Sequence, residues 1–182
     1  MLVGIFLLAI LTLGAVSAQE DSSADVLAVD SASSHVGDGI SYDKTIYVNT
    51  TGDDSNSGSQ TSPYATINKG ISSVNASDNA VIYLSKGTFT GGNNTDLNII
   101  NLAHEKYGGS LTIVGQGNDK TFIDGGSVSP FLKSVSGDTA LTLINISFIN
   151  GKANTGSMIN CGGNLTVDNC VFENNYATSS QG

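Results

Sequence analysis

Hydrophobic and polar residues alternate in short runs along much of this chain, most clearly between Leu141 and Ala177. Leu141/Leu143 and Ile146/Phe148 form two such runs, separated by Asn145. The pattern then returns as Leu165/Val167, Asn169 and Cys170/Phe172. Over thirteen aligned positions, Leu141 to Ala153 against Leu165 to Ala177, six residues are identical at an offset of 24. Period-two alternation predicts strands with one buried face. A single Asn between two runs predicts a sharp bend, because Asn tolerates left-handed backbone and bonds neighbouring backbone groups. No helical-period run interrupts the repeat, so a helical solenoid is excluded. A fixed period of this length is the mark of stacked repeats. Three short strands and three bends per 24 residues predict one coil of a parallel β-helix. Stacked coils would then place Phe148 on Phe172, Asn145 on Asn169 and Asn150 on Asn174, as ladders spaced about 4.8 Å apart.

Upstream, Ile46-Tyr47-Val48 reads as a strand and Asn49 to Gly58 as a turn-forming loop. Thr61-Ser62-Pro63 predicts a helix start, with Ser62 as N-cap and Pro63 in the first helical position. Ile67, Ile71 and Val74 give that helix one apolar face. A short amphipathic helix placed ahead of a stack is expected to cover its open end. Ala80 to Leu84 reads as a buried strand and Gly87 to Gly92 as a bend into the next run. Leu97 to Leu102, Leu111 to Val114, Thr121 to Asp124 and Pro130 to Leu132 follow, for about four coils in all. Residues 177–182 offer no apolar face to close the far end. The expectation is therefore the front piece of a longer surface protein, the alternative being an open end that pairs with something.

Composition narrows the class. The charge is −9, with seven Lys, no Arg, and charged residues at 13%. That balance disfavours nucleic acid and anionic lipid as partners. Eighteen Asn and 22 Gly make the polar surface one of turns and amides, as in extracellular all-β proteins. Met1 to Ala18 reads as a secretory signal peptide, with an apolar run from Leu2 to Val16 and Val16-Ser17-Ala18 as cleavage site. No basic residue precedes Lys44, so the alternative is a short retained anchor. Membrane association is expected only through this segment, and the chain is expected to be secreted or held at the cell surface. Residues 19–44, rich in Ser, Ala and Asp, read as a disordered linker, leaving 45–182 as the folded domain. Sequons occur at Asn49, Asn75, Asn93, Asn145 and Asn164. Asn93, in a Gly/Asn loop, is the first glycosylation candidate, followed by Asn49 and Asn75, whereas Asn145 is better explained as a ladder residue.

Tyr47-Val48, Gly52-Asp53, Asn56, Gly58, Pro63 to Ile67 and Lys69 together resemble the N-terminal motif of secreted proteins of the pectate-lyase-like superfamily. Leu111 to Gly117 and Lys120 to Gly126 are similar to an early coil of the same proteins. Gly156-Ser157-Met158-Ile159 through Phe172-Glu173-Asn174-Asn175 resembles the polymorphic-outer-membrane-protein type of repeat. Here Ser157-Met158 stands where that repeat has Gly-Ala, and Phe148 is followed by Gly151 where it has Asn. The overall combination is similar to the adhesin-like surface proteins of methanogenic archaea. The resemblance implies an all-β, right-handed, single-stranded parallel β-helix with a short N-terminal capping helix. It also implies an adhesin-like binding module, with cell-surface glycans or surface proteins as partners.

The chemistry of enzymes with this architecture makes demands the chain does not meet in sequence. Polyuronate elimination needs a strong base, and there is no Arg. Glycoside hydrolysis needs paired carboxylates. Asp124, Asp138, Asp168 and Glu173 are spread out, and Asp168 and Glu173 align with the outward Ile144 and Ile149. Asp53 to Gly58 lacks the bidentate Glu of a calcium loop, and His104-Glu105-Lys106 lacks a second His. The expectation is a non-catalytic module without metal or cofactor, the alternative being the front of a carbohydrate-active enzyme whose active site lies elsewhere. Cys161 and Cys170 fall on inward parities, as a disulfide or as two buried thiols.

Overall fold

A computed structural model describes residues 40–99, 109–135, 139–154 and 158–179. The proposed signal peptide, most of the linker, His104 to Lys106, Asp138 and Gly156-Ser157 lie outside the described residues.

In chain order the elements are β1 (Lys44–Val48), α1 (Ile67–Ser72), β2 (Asn79–Leu84), β3 (Gly87–Thr90) and β4 (Leu97–Ile99). Then come β5 (Ser110–Val114), β6 (Thr121–Asp124), β7 (Leu132–Val135), β8 (Ala140–Ile144) and β9 (Ser147–Ile149). The last are β10 (Lys152–Ala153), β11 (Ile159–Cys161), β12 (Asn164–Asp168), β13 (Val171–Glu173) and β14 (Tyr176–Ala177). The protein is all-β with parallel strands and a single short helix among the described residues. One sheet runs β1-β2-β5-β8-β12, a second β3-β6-β9-β13, a third β4-β7-β11, and β10 pairs with β14. From β2 onward each pass of the chain visits the first, second and third sheets in the same order.

Register explains which part of this order is visible in sequence. Leu165 pairs with Leu141, Phe172 with Phe148 and Tyr176 with Lys152, all 24 residues apart. Leu111 pairs with Leu141 at a separation of 30, and Ala80 with Leu111 at 31. In the first and second sheets the strands stay in register while the bends between them absorb the extra residues; the third sheet shifts register between Leu97 and Asn98 and again between Ile159 and Cys161.

Alternation builds the core. Leu111, Ile113, Leu141 and Leu143 point inward from the first sheet, and Phe89, Ile123 and Phe148 from the second; all are at most 1% exposed. Phe148 lies between Phe131 and Phe172, with centroids 5.3 and 4.9 Å away. The Phe148 and Phe172 rings are within 15° of parallel, as in-register strands require. The outward parity of Ile144 does not make it a solvent position. Val81, Val114 and Ile144 form a second buried cluster, on the opposite face of the first sheet, with Tyr42 and Tyr83 packed against it. Burial pushes the Tyr83 phenol above its ordinary pKa, and neighbouring Tyr42 and Tyr47 add to this.

Three local expectations need correction. The helix begins at Ile67 with Thr66 as N-cap, not at Ser62-Pro63. Pro63-Tyr64 is extended instead, because Tyr64 donates to the Tyr47 carbonyl (3.0 Å) and accepts from the Asn49 amide (2.8 Å). This segment occupies the free edge of β1, so the helix cannot start until it has left the sheet. Asp54 then fixes the start by accepting from the Ala65 and Thr66 amides (3.0 and 2.9 Å) and from the Thr66 hydroxyl (2.7 Å). Second, Gly87 to Thr90 is the strand β3, paired with Thr121 to Asp124, and only Gly91-Gly92 turns. Third, order begins slightly earlier than Thr45: Lys44 is already in β1, and Asp43 and Asn79 exchange bonds. Ile67 and Ile71 of α1 pack into the main core beside Ile46 and Val48. Gly70 makes this approach close, since a Cβ there would lie 3.2 Å from Val48 and 3.3 Å from Ile82.

Candidate functional site

The bends decide where polar groups gather. The bend between the first and second sheets has Asn145 at φ 59° and, one coil on, Asn169 at φ 47°. The bend after the second sheet has Gly91 (φ 82°), Gly125, Asn150 (φ 54°) and Asn174 (φ 55°) at stacked positions. Gly91, Asn145, Asn150, Asn169 and Asn174 are left-handed, a conformation for which Gly and Asn are the usual solutions, whereas Gly125 is not left-handed and is required by space, since a Cβ there would lie 2.2 Å from the Ser129 carbonyl oxygen.

Asn169 Nδ2 donates to Asn145 Oδ1 at 2.6 Å, and Asn118 Nδ2 donates to Asn169 Oδ1 at 3.0 Å. Asn150 and Asn174 do not bond each other through their side chains in this way. Asn150 Nδ2 donates to Asp124 Oδ1 at 3.0 Å, one coil back. The residue that ties this bend to the next coil is Asn175, which sequence reasoning missed. Its Oδ1 accepts from the Gly151 amide (2.6 Å) and its Nδ2 donates to the Phe148 carbonyl (2.9 Å). The doubled Asn174-Asn175 was the available signal, but alignment paired Asn175 with a glycine, which has no side chain to suggest a ladder.

The turns after the second sheet stack along one edge and enclose two adjoining grooves, each of about 370 Å³. Asp96 and Val128 line both. One groove adds Lys133, Lys152, Asn154 and Asn160, drawing residues from three successive passes of the chain. The other adds Thr90, Asp124 and the glycine-rich turns around Gly91 and Gly125. Lys133 Nζ lies 3.5 Å from Asp96 Oδ2 with both side chains well exposed, so this pair orders the rim without much stabilising it. Val128, 81% exposed, supplies an aliphatic contact at the centre. The lining therefore offers cationic, anionic, amide and aliphatic contacts in one elongated trough. Asp96 escaped the sequence reading because it lies 28 residues from Asp124 and outside the recognisable repeat.

Asp124 also accepts from the Gly126 amide at 2.8 Å, so its carboxylate is a turn-former. Asp168 and Glu173 sit on exposed strand positions. Asp53 accepts from the Ser55 amide and hydroxyl (2.8 and 2.7 Å), and these bonds hold its carboxyl below the ordinary aspartate value. No group of three His, Cys, Asp or Glu able to hold a metal occurs among the described residues.

The glycosylation candidates differ in exposure. Asn93 and Asn75 are exposed, and Asn75 Nδ2 bonds Asp78 at 3.1 Å. Asn49 is half-buried, with Oδ1 taken by Thr51. In the Asn93 sequon, Thr95 is buried and its hydroxyl bonds the Gly91 carbonyl at 3.0 Å. Cys161 and Cys170 are both free thiols and half-buried.

A family model described as protein of unknown function (DUF1565) matches residues 50–176. The chain belongs to the DUF1565 family. The DUF1565 segment contains both grooves, both Asn bends and every strand from β2 to β13. Its parallel sheets fit a β-helix-like protein. No curated protein and no solved structure matches the chain.

Proposed function

We propose that this protein is a secreted or cell-surface, adhesin-like binding module without catalytic activity. In this reading it is a right-handed parallel β-helix of the pectate-lyase-like type, delivered by residues 1–18 as a signal. Its handedness follows from the strong right-handed rule for connections between parallel strands. The helix α1 and the segment 58–64 close its first coil against edge pairing. Its partners are cell-surface glycans or surface proteins, and no cofactor is required. The observation that carries the reading is the trough along the stacked turns. It presents Lys133, Lys152, Asn154, Asn160 and Asp96 beside Val128, hydrogen-bonding groups of both kinds along an elongated surface. Extended chains such as glycans are recognised by such repeated polar contacts on a rigid scaffold.

A glycan array probed with the purified chain tests this. Binding that drops at least tenfold in Asn160→Ala and Lys152→Glu, with the fold intact by circular dichroism, supports it. Binding that these changes leave untouched moves the site elsewhere on the surface, and no binding to any surface glycan or surface-protein extract refutes the reading.

A second reading, a carbohydrate-active enzyme, is favoured by one observation: Asp96 and Asp124 line the same groove. Release of reducing sugars from a bound glycan, abolished in both Asp96→Asn and Asp124→Asn, would establish that reading instead.

A further inference from the structure

The chain contains one Asn-Gly dipeptide, Asn150-Gly151. In a flexible peptide this pair is chemically short-lived. Glycine has no side chain to shield its amide nitrogen, and that nitrogen can reach the preceding side-chain amide. The Gly151 nitrogen attacks Asn150 Cγ, the new N–Cγ bond forms, and the Cγ–Nδ2 bond breaks. The Gly151 nitrogen gives up its proton, and Nδ2 leaves as ammonia. Water then opens the cyclic imide at either carbonyl, leaving aspartate or isoaspartate. The net change is one water consumed and one ammonia released, with no oxidant or cofactor.

Here the four backbone groups of the dipeptide and the Asn150 side-chain nitrogen are all held. Asn150 N donates to the Glu173 carbonyl (3.1 Å), and the Asn150 carbonyl accepts from Ser127 N (2.7 Å). Asn150 Nδ2 donates to Asp124 Oδ1 (3.0 Å), and the Gly151 carbonyl accepts from Tyr176 N (2.8 Å). The attacking group itself, the Gly151 amide, is buried and donates to Asn175 Oδ1 at 2.6 Å. We propose that Asn175 is a guard residue for a built-in modification site: by holding the Gly151 amide it keeps Asn150 from deamidating while the next coil is seated. The site matters because its products are incompatible with the stack. Aspartate at 150 would set a second carboxylate against Asp124, and like charges at hydrogen-bond distance repel. Isoaspartate would lengthen the backbone at a bend whose register is fixed on both sides.

The test is incubation of the folded chain at mildly alkaline pH, with peptide mass mapping and isoaspartate detection at Asn150. Asn175→Ala removes the acceptor, and its Asn150 deamidation is expected to be about tenfold faster. That factor is worth about 1.4 kcal/mol, the net strength of one good hydrogen bond. Asn175→Asp keeps an acceptor oxygen and is expected to stay close to the unaltered chain. Thr178→Ala loosens the same coil without touching Gly151 and is expected to change nothing. Equal rates in Asn175→Ala and the unaltered chain overturn the proposal. So does an Asn175→Asp or Thr178→Ala rate matching Asn175→Ala, which would mark general loosening of the coil. Should Asn175→Ala fail to fold, hydrogen exchange of the Gly151 amide in the unaltered protein decides. Protection supports the guard, and exchange as fast as in exposed turns refutes it.

Discussion

Replacing Asn145 separates two contributions that a single asparagine makes to a coil. Asn145 is 5% exposed, has φ 59°, and accepts from Asn169 Nδ2 at 2.6 Å. Asn145→Gly and Asn145→Ala both delete the acceptor, which should cost about 1 kcal/mol because water reaches the exposed Asn169 in its place. Alanine must also adopt the left-handed backbone, at about 1–2 kcal/mol. Glycine adopts it freely but loses about 0.5–1 kcal/mol through the greater freedom of its unfolded chain. Asn145→Ala is therefore expected to lose about 2–3 kcal/mol and Asn145→Gly about 1.5–2 kcal/mol. Urea denaturation followed by far-ultraviolet circular dichroism measures both, and a thermal melt should move by about 2–4 °C for each kcal/mol. If Asn145→Ala is as stable as Asn145→Gly or more so, backbone handedness is not what the asparagine supplies, and the account of the bends fails.

Gly115 occupies the bend position that Asn145 takes one coil later, and a Cβ there would lie 2.3 Å from the Asn145 carbonyl oxygen. Gly115→Ala should therefore cost more than 2 kcal/mol in the same urea assay, since backbone rather than a flexible side chain must shift. Phe148→Ala should cost about 3–5 kcal/mol, and Phe172→Ala, at a site 47% exposed, roughly half as much; a reversed order would show that the ring stack is not the core. The Ser55 amide and hydroxyl hold the Asp53 carboxyl below the ordinary aspartate value, so its favourable contribution is present above that ordinary value and is lost as pH falls through its lower folded value. A carbon-13 titration of the Asp53 carboxyl should show that lowered midpoint, and Ser55→Ala should raise it toward the ordinary value. The Cys170 thiol is pushed up by burial, despite backbone bonds that oppose the shift, so labelling by a thiolate-selective reagent at neutral pH should be slow and should accelerate in urea.

Alternation and repetition carried the architecture because both are consequences of stacking that act on every residue. A strand with one buried face must alternate, and a coil that lies on its neighbour in register must repeat its bend residues. Leu141 to Phe148 and Leu165 to Phe172 therefore announced parallel strands, and Asn145 and Asn169 announced bends, with no tertiary information. The earlier passes were legible only as separate strands. Their bends carry extra residues, so Leu111 and Leu141 are 30 apart while Leu141 and Leu165 are 24 apart, and no single period joins them. The start of α1 was misplaced because Ser62-Pro63 is locally a good helix opening. What overrode it was the free edge of β1, whose unpaired groups recruit Pro63-Tyr64, and no residue within the helix records that demand. The same holds for the trough. Asp96, Val128, Lys133, Lys152 and Asn160 meet only because stacked turns bring successive passes to one edge. Sequence by itself determined strand, bend and class, since those follow from forces between near neighbours and from a period. The tertiary structure alone decided which outward residues are covered, which asparagine clamps the next coil, and which charges share a groove. Those depend on distances between segments that the chain separates by varying lengths.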